Sequence, residues 1–302
     1  MKTRLGIFAG ALLLLPLAGL LLSGREWDEL AGIRHPATSS ALATLATLAV
    51  LLGYVLLVNL IVKMRTGNNP FTGQRNYFLS VSAAGAVLGW LLAYLNLFAA
   101  SWSSGQGNSA MQLLLCTLMF ALLAPAVLIT RALLGSFTGL LKRLARGIPL
   151  PLPGGEFAAY GLLSLVALGL LGGAVWPARL FWLLWAAPLL LLGALQLLWH
   201  ESTVFSGLKS GDWGRVVCAA LSGMVVGNLA VISHQAAGSG LTLNLPHALL
   251  AQLGYALFGL LCLQLGDIIA ESWRGKQRSD LFHKRKKFPI PVVAGPATEK
   301  KD

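Results

Sequence analysis

The stretch Trp199–Val216, WHESTVFSGLKSGDWGRV, gathers a His, two carboxylates, two cations and two Trp in a chain that is otherwise mostly Leu, Ala, Val and Gly. It lies between apolar runs at residues 180–198 and 217–232. Each run is close to the roughly 20 residues that a helix needs to cross a bilayer core about 30 Å thick. A polar connector between two such runs is the pattern of a loop between membrane spans, and it repeats outward in both directions. Upstream, further runs cover residues 5–22, 41–62, 79–100, 111–133 and 158–175; downstream, one covers 247–270.

The expected fold is therefore all-α: a polytopic transmembrane helix bundle of about eight spans filling residues 1–270. A basic tail, residues 271–302, follows and is broken by Pro289, Pro291 and Pro296, a composition expected to stay disordered off lipid or a partner. Composition agrees. Of 302 residues, 56% are hydrophobic and 11% charged, with mean hydropathy +0.72, too apolar for a domain that must cover its surface with polar groups. The run at 5–22 follows Lys2 and Arg4 as a signal peptide would, but Leu22–Gly24 lacks a clean small-residue cleavage pair, so an uncleaved first span is expected. Cys116, Cys218 and Cys262 lie singly in apolar runs and read as buried hydrophobes rather than disulfide or zinc partners.

Orientation follows from the cations. Of the 23 Lys and Arg, twenty fall on one side of the eight-span arrangement and only Arg25, Arg34 and Arg179 on the other. The positive-inside rule then places both termini in the cytoplasm, in a plasma or bacterial inner membrane. The net charge of +12 is thus laid out by sidedness. That layout makes anionic lipid at the cytoplasmic face the expected partner and argues against nucleic acid. Within this face, residues 135–157 carry Lys142, Arg143 and Arg146 against Leu140, Leu141 and Leu144, the pattern of a short interfacial helix.

The polar side chains form three candidate groups. At the cytoplasmic face stand His200, Glu201, Asp212, Arg215, Asp267, Glu271 and Arg131; Gln264, Asp267 and Glu271 share one helical face at i, i+3, i+7. A carboxylate at Asp267 is costly toward lipid, so it should face the bundle or pair with a cation such as Arg131 or Arg215. Here a His general acid or base with an Asp partner and an Arg clamp could serve a lipid-linked substrate. Equally, these are interfacial residues that pair with each other and fix helix ends. A second group, Asn59, Asn96 and Asn228, could line an intramembrane polar path or form interhelical hydrogen bonds. A third, His35, His234 and His247, offers weak metal candidates, with haem weaker still, on the outer side. Whether a metal, haem or other cofactor is bound is left open.

No HExxH, GxSxG or phosphate-cradling Gly/Lys loop occurs, so no residue is assigned as catalytic and enzymatic activity is left open. No Asp, Glu, Lys or Arg lies mid-span, which argues against ion-coupled carriage. Small residues at four-residue spacing, Gly85–Gly89–Ala93 and Ala219–Gly223–Gly227, mark faces for close helix approach. These features favour a non-catalytic accessory or scaffold subunit with a partner membrane protein. The alternatives are a permease for a neutral or lipid-like substrate, and an enzyme acting on a lipid-linked substrate at the cytoplasmic face.

Overall fold

The computed structural model describes residues 41–103, 110–151 and 154–274. The expected first span, the loop with His35 and most of the tail lie outside these residues. Seven described helices are long and apolar enough to cross a membrane. The chain is a multi-pass helical membrane protein.

In order, α1 is Ala41–Thr66, α2 the single turn Pro70–Gly73, α3 Arg75–Ala99 and β1 Trp102–Ser103. Next come α4, Ala110–Gly135; α5, Thr138–Leu144; α6, Glu156–Val175; and α7, Pro177–Leu198. A 3-10 turn at Ser206–Ser210, α8 at Gly214–Ala236, β2 at Thr242–Leu243 and α9 at Ala248–Arg274 complete the described chain. Most of the long helices outrun their apolar stretches. α3 begins at Arg75 rather than 79, α8 runs from 214 to 236 rather than 217 to 232, and α9 continues past residue 270 to Arg274. Helical hydrogen bonding needs no apolar side chains, so it continues into the polar zone until a cap stops it.

The packing uses the small-residue faces inside the chain. A Cβ on Gly89 would lie 2.3 Å from the Phe120 ring, and one on Gly85 2.8 Å from Ala124 Cβ, so α3 and α4 touch almost backbone to backbone. On the other side, a Cβ on Gly223 would fall 2.1 Å from the Tyr255 carbonyl and 2.6 Å from Gly259 N, which fixes the α8–α9 crossing. Gly169 and Gly173 do the same for the α6–α7 hairpin, against Leu183 and Leu184. Such contacts supply dispersion where the hydrophobic effect between helices is absent. α4 lies among α1, α3, α8 and α9; Pro125 sits within it and is buried without ending it.

The two ends of the bundle differ. One carries Lys63, Arg65, Arg131, Arg215 and Asp267; the other is closed by β1 and β2, which pair antiparallel with Trp102 opposite Leu243. This small sheet ties the α3–α4 connection to the α8–α9 connection. Ser103 and Thr242 share a hydroxyl hydrogen bond of 2.6 Å, and Asn244 N donates to Ser101 O at 2.9 Å.

Candidate functional site

At the charged end, Asp267 of α9 forms an ion pair with Arg215 of α8. Arg131 of α4 lies within electrostatic reach of both, and of Tyr77 on α3. Four helices therefore bring their polar groups to one place. Gln264, one turn before Asp267, is fully buried and donates at 2.8 Å to Gln196 of α7, so the polar stripe of α9 faces the bundle interior. Glu271 continues that stripe by one turn.

The remaining members of the sequence-derived cluster have local structural partners. Asp212 Oδ1 accepts from Gly214 N at 2.9 Å at the start of α8. His200 is exposed and adopts φ 57°, a left-handed conformation that favours glycine. Its amide donates to Leu197 O at 3.0 Å and that of Glu201 to Gln196 O at 2.8 Å, the two bonds of a Schellman cap that ends α7. The backbone of the opening stretch thus serves as a buckle. Gly147 N donates to Gly211 O at 3.0 Å, Leu150 N to Leu208 O at 2.8 Å, and Trp213 Nε1 to Ile148 O at 2.9 Å, strapping the residues after α5 to the α7–α8 connection. Lys142, Arg143, Arg146 and Lys209 are exposed around it.

The turn at residues 65–75 is likewise occupied by structural contacts. Arg65 Nε donates to Ser136 Oγ at 2.9 Å, its guanidinium stacks 4.1 Å from the Phe137 ring centroid, and Asn69 caps α2 through Phe71 N at 3.1 Å.

The intramembrane amides do not share one path among the described residues. Asn96 Oδ1 accepts from Ser101 N at 2.9 Å and Trp102 N at 3.2 Å, and its amide donates to Trp102 O at 2.8 Å, so it holds the chain as it leaves α3. Asn228 and Gln252 exchange reciprocal hydrogen bonds of 2.7 and 2.8 Å between α8 and α9. Asn59 Oδ1 is buried on α1 with no hydrogen-bond partner among the described residues. Nor do the described His residues converge. His247 is exposed before α9, whereas His234 is buried in α8 with its Nδ1 3.0 Å from Thr47 Oγ1 of α1. Among the described residues, no three His, Cys, Asp or Glu side chains gather as a metal site.

The site that sequence reasoning missed lies toward the β end. A cavity of about 280 Å³ opens between α3, α4, α7, α8 and α9 beneath the β1–β2 roof. Trp90, Phe120, Trp185, Tyr255 and Phe258 form much of its wall, with Trp102 and Leu243 from the roof and Gly89, Gly227 and Gly254 where bulk is missing. A Cβ on Gly254 would lie 2.6 Å from the Trp185 ring, so glycine lets the indole lie inward against α9. Trp185 is half-buried, unlike its neighbours Trp176 and Trp182, which are 66% and 53% exposed. The lining side chains that carry a polar atom are Ser101, His234, Tyr255 and the indoles of Trp90, Trp102 and Trp185. Ser101 Oγ and Trp185 Nε1 are buried without hydrogen-bond partners among the described residues.

No family model, curated protein or solved structure matches the chain. The cavity and the charged-end cluster therefore stand on their own geometry.

Proposed function

We propose that this protein holds a neutral, lipid-like molecule in the cavity beneath the β1–β2 roof. The observation that carries the reading is the size of that cavity, about 280 Å³, set against its apolar wall. The cavity opens to its surroundings on one side, so what it offers a ligand is a concave apolar wall rather than relief of a sealed void. Water is a poor tenant, because each molecule needs two to four polar partners and the wall has few. An apolar molecule from the bilayer satisfies the space and the chemistry together.

Of the three functions inferred from sequence, this is nearest to the permease for a neutral or lipid-like substrate. Asn96 and Asn228 are committed to local hydrogen bonds, so the substrate is one that reaches its site from the lipid rather than along a polar channel. One of the three supports of the accessory-subunit reading, the small-residue faces, is used within the chain, where Gly85, Gly89, Gly223 and Gly227 pack against α4 and α9. Partnership with another membrane protein is left to the lipid-facing surface. For the enzyme reading, His200 caps α7 and has no hydrogen bond to Asp212 or Asp267 among the described residues.

The surrounding topology in this proposal has eight spans, with the run at 5–22 as the first and both termini cytoplasmic. The twenty-to-three cation split supports it. The exposed Lys142, Arg143, Arg146 and Lys209 then face the anionic leaflet of a plasma or bacterial inner membrane, a contact worth about 1 kcal/mol per cation.

The test is quenching of tryptophan fluorescence by 1-bromodecane added to the full-length protein in mild detergent. Saturable quenching, displaced by unbrominated decane and diminished by the cavity-filling change Ala230→Phe at a lining position of α8, is the expected result. Quenching that rises linearly with probe and ignores Ala230→Phe would mean that only lipid-facing Trp residues are reached and that the cavity holds no ligand.

A further inference from the structure

His234 is the polar residue of the cavity whose hydrogen bonding can be worked out atom by atom. Its Nδ1 lies 3.0 Å from Thr47 Oγ1, and the same hydroxyl lies 2.9 Å from the carbonyl of Ala43 one turn earlier in α1. A carbonyl can only accept, so the single hydrogen of the hydroxyl goes to Ala43 O. The assignment that satisfies both contacts has Thr47 receiving a hydrogen from the imidazole, with Nδ1 as the protonated nitrogen. No carboxylate lines the cavity to hold an imidazolium. The neutral ring therefore presents Nε2 as a lone-pair acceptor.

Nδ1 points to α1, so Nε2 lies at the edge of the ring turned away from it. Among the described residues, Ser101 Oγ and Trp185 Nε1 are sealed into the wall without partners, whereas Nε2 is not among these sealed atoms and no hydrogen bond engages it. An acceptor left open beside an apolar cavity selects for one kind of group, a hydrogen-bond donor that carries no charge.

We infer that the occupant of the cavity is a neutral molecule with an apolar body and one hydroxyl group, an alcohol or phenol, which donates its hydrogen to His234 Nε2. The inference rests on the proposed ligand-binding role of the cavity and narrows it to a chemical class. The aromatic side chains receive the body, while Thr47 acts as a positioning residue by fixing the tautomer. An amine or carboxylate head is disfavoured, because no counter-charge lines the cavity among the described residues.

A matched pair of probes separates this inference from the reading beneath it. 10-Bromodecan-1-ol and 1-bromo-10-methoxydecane share a bromine quencher and an alkyl body, but only the first can donate a hydrogen bond. Both are titrated into the full-length protein in mild detergent, with Trp fluorescence as the signal. The expected result is saturable quenching by both, with the alcohol bound about five-fold more tightly, the scale of one net hydrogen bond. His234→Phe keeps an aromatic ring and should equalise the two probes while leaving saturable binding in place. Thr47→Val, which leaves His234 intact but frees its tautomer, should reduce the preference by about half or more. Both variants are first checked for monodispersity, and Thr47→Val alone suffices if His234→Phe does not fold.

Saturable but equal binding of alcohol and ether to the unmodified protein would overturn the hydroxyl assignment and leave the cavity reading standing. A preference that survives both substitutions would overturn the role of His234. Absence of any saturable component would overturn the cavity reading and the inference with it.

Discussion

Replacing Gly223 by Ala adds one methyl group at the tightest point of the α8–α9 crossing. That carbon would sit 2.1 Å from Tyr255 O, 2.6 Å from Gly259 N and 2.7 Å from Gly259 Cα. All three are backbone atoms, so no side chain can rotate away. To move from 2.1 Å to the 3.4 Å at which ordinary contact begins, the helices must separate locally by about 1.3 Å. Overpacking usually costs about 1–3 kcal/mol, and a clash with backbone belongs at the upper end. The same separation disturbs the cavity, because Gly227 and Tyr255, one turn further along the crossing, belong to its wall. Gly53→Ala in α1 is the control: nothing lies within 4 Å of its added carbon, and Ala is the better helix former by up to about 1 kcal/mol. Equilibrium unfolding in mixed micelles should show Gly223→Ala destabilised by about 2–3 kcal/mol and Gly53→Ala unchanged or slightly stabilised. Stabilities within about 0.5 kcal/mol of each other would refute the crossing geometry and its coupling to the cavity.

Other consequences follow from individual contacts. His200→Gly should stabilise the protein by about 1 kcal/mol in the same unfolding assay, since glycine occupies the left-handed region without the Cβ penalty; a loss of stability would mean that the imidazole has a role beyond the cap. Asp267→Ala should cost about 2 kcal/mol by leaving Arg215 and Arg131 without this carboxylate, and a double-mutant cycle with Arg215→Met should show coupling of at least 0.5 kcal/mol. Additive losses would deny the ion pair. Asn228→Leu and Gln252→Leu should likewise couple by about 0.6–1.7 kcal/mol, the range for hydrogen bonds between helices in membranes, and independence of the two would contradict their reciprocal pairing.

The seven described spans are legible in the chain because a helix crossing lipid must be apolar for roughly 20 residues, and few soluble patterns mimic that. The small-residue faces are legible for the same kind of reason: Gly85, Gly89, Gly223 and Gly227 stand at regular spacing on their own helices. Their partners are not. Gly259 sits in a helix whose other small residues serve different neighbours, Gly254 facing Trp185 and Gly266 facing Tyr77, and no period exposes that division. Asp267 could be placed facing the bundle from the cost of a charge in lipid, but the choice of Arg215 over Arg131 depends on how α8 and α4 rotate about their axes.

The cavity was harder to read for a deeper reason. Its wall is assembled from five helices and two loops, and a void is the absence of side chains at positions that become neighbours only after folding. The roof gave no signal, since two-residue strands in uncharged loops lack any alternation to detect. His234 drew attention as a weak metal candidate because it and His247 bound one loop, which could bring their imidazoles together. What distinguishes it is Thr47, nearly two hundred residues earlier, an ordinary residue in an ordinary apolar run until α1 packs against α8.

The most direct test of a ligand in the cavity is native mass spectrometry of the full-length protein released from mild detergent, compared with Ala230→Phe prepared identically. The account expects the unmodified protein to carry a small neutral molecule at a single defined mass increment, recoverable by solvent extraction, and the cavity-filled variant to lose it while retaining its fold. A ligand-free mass for both proteins, or an identical adduct on both, would contradict the account.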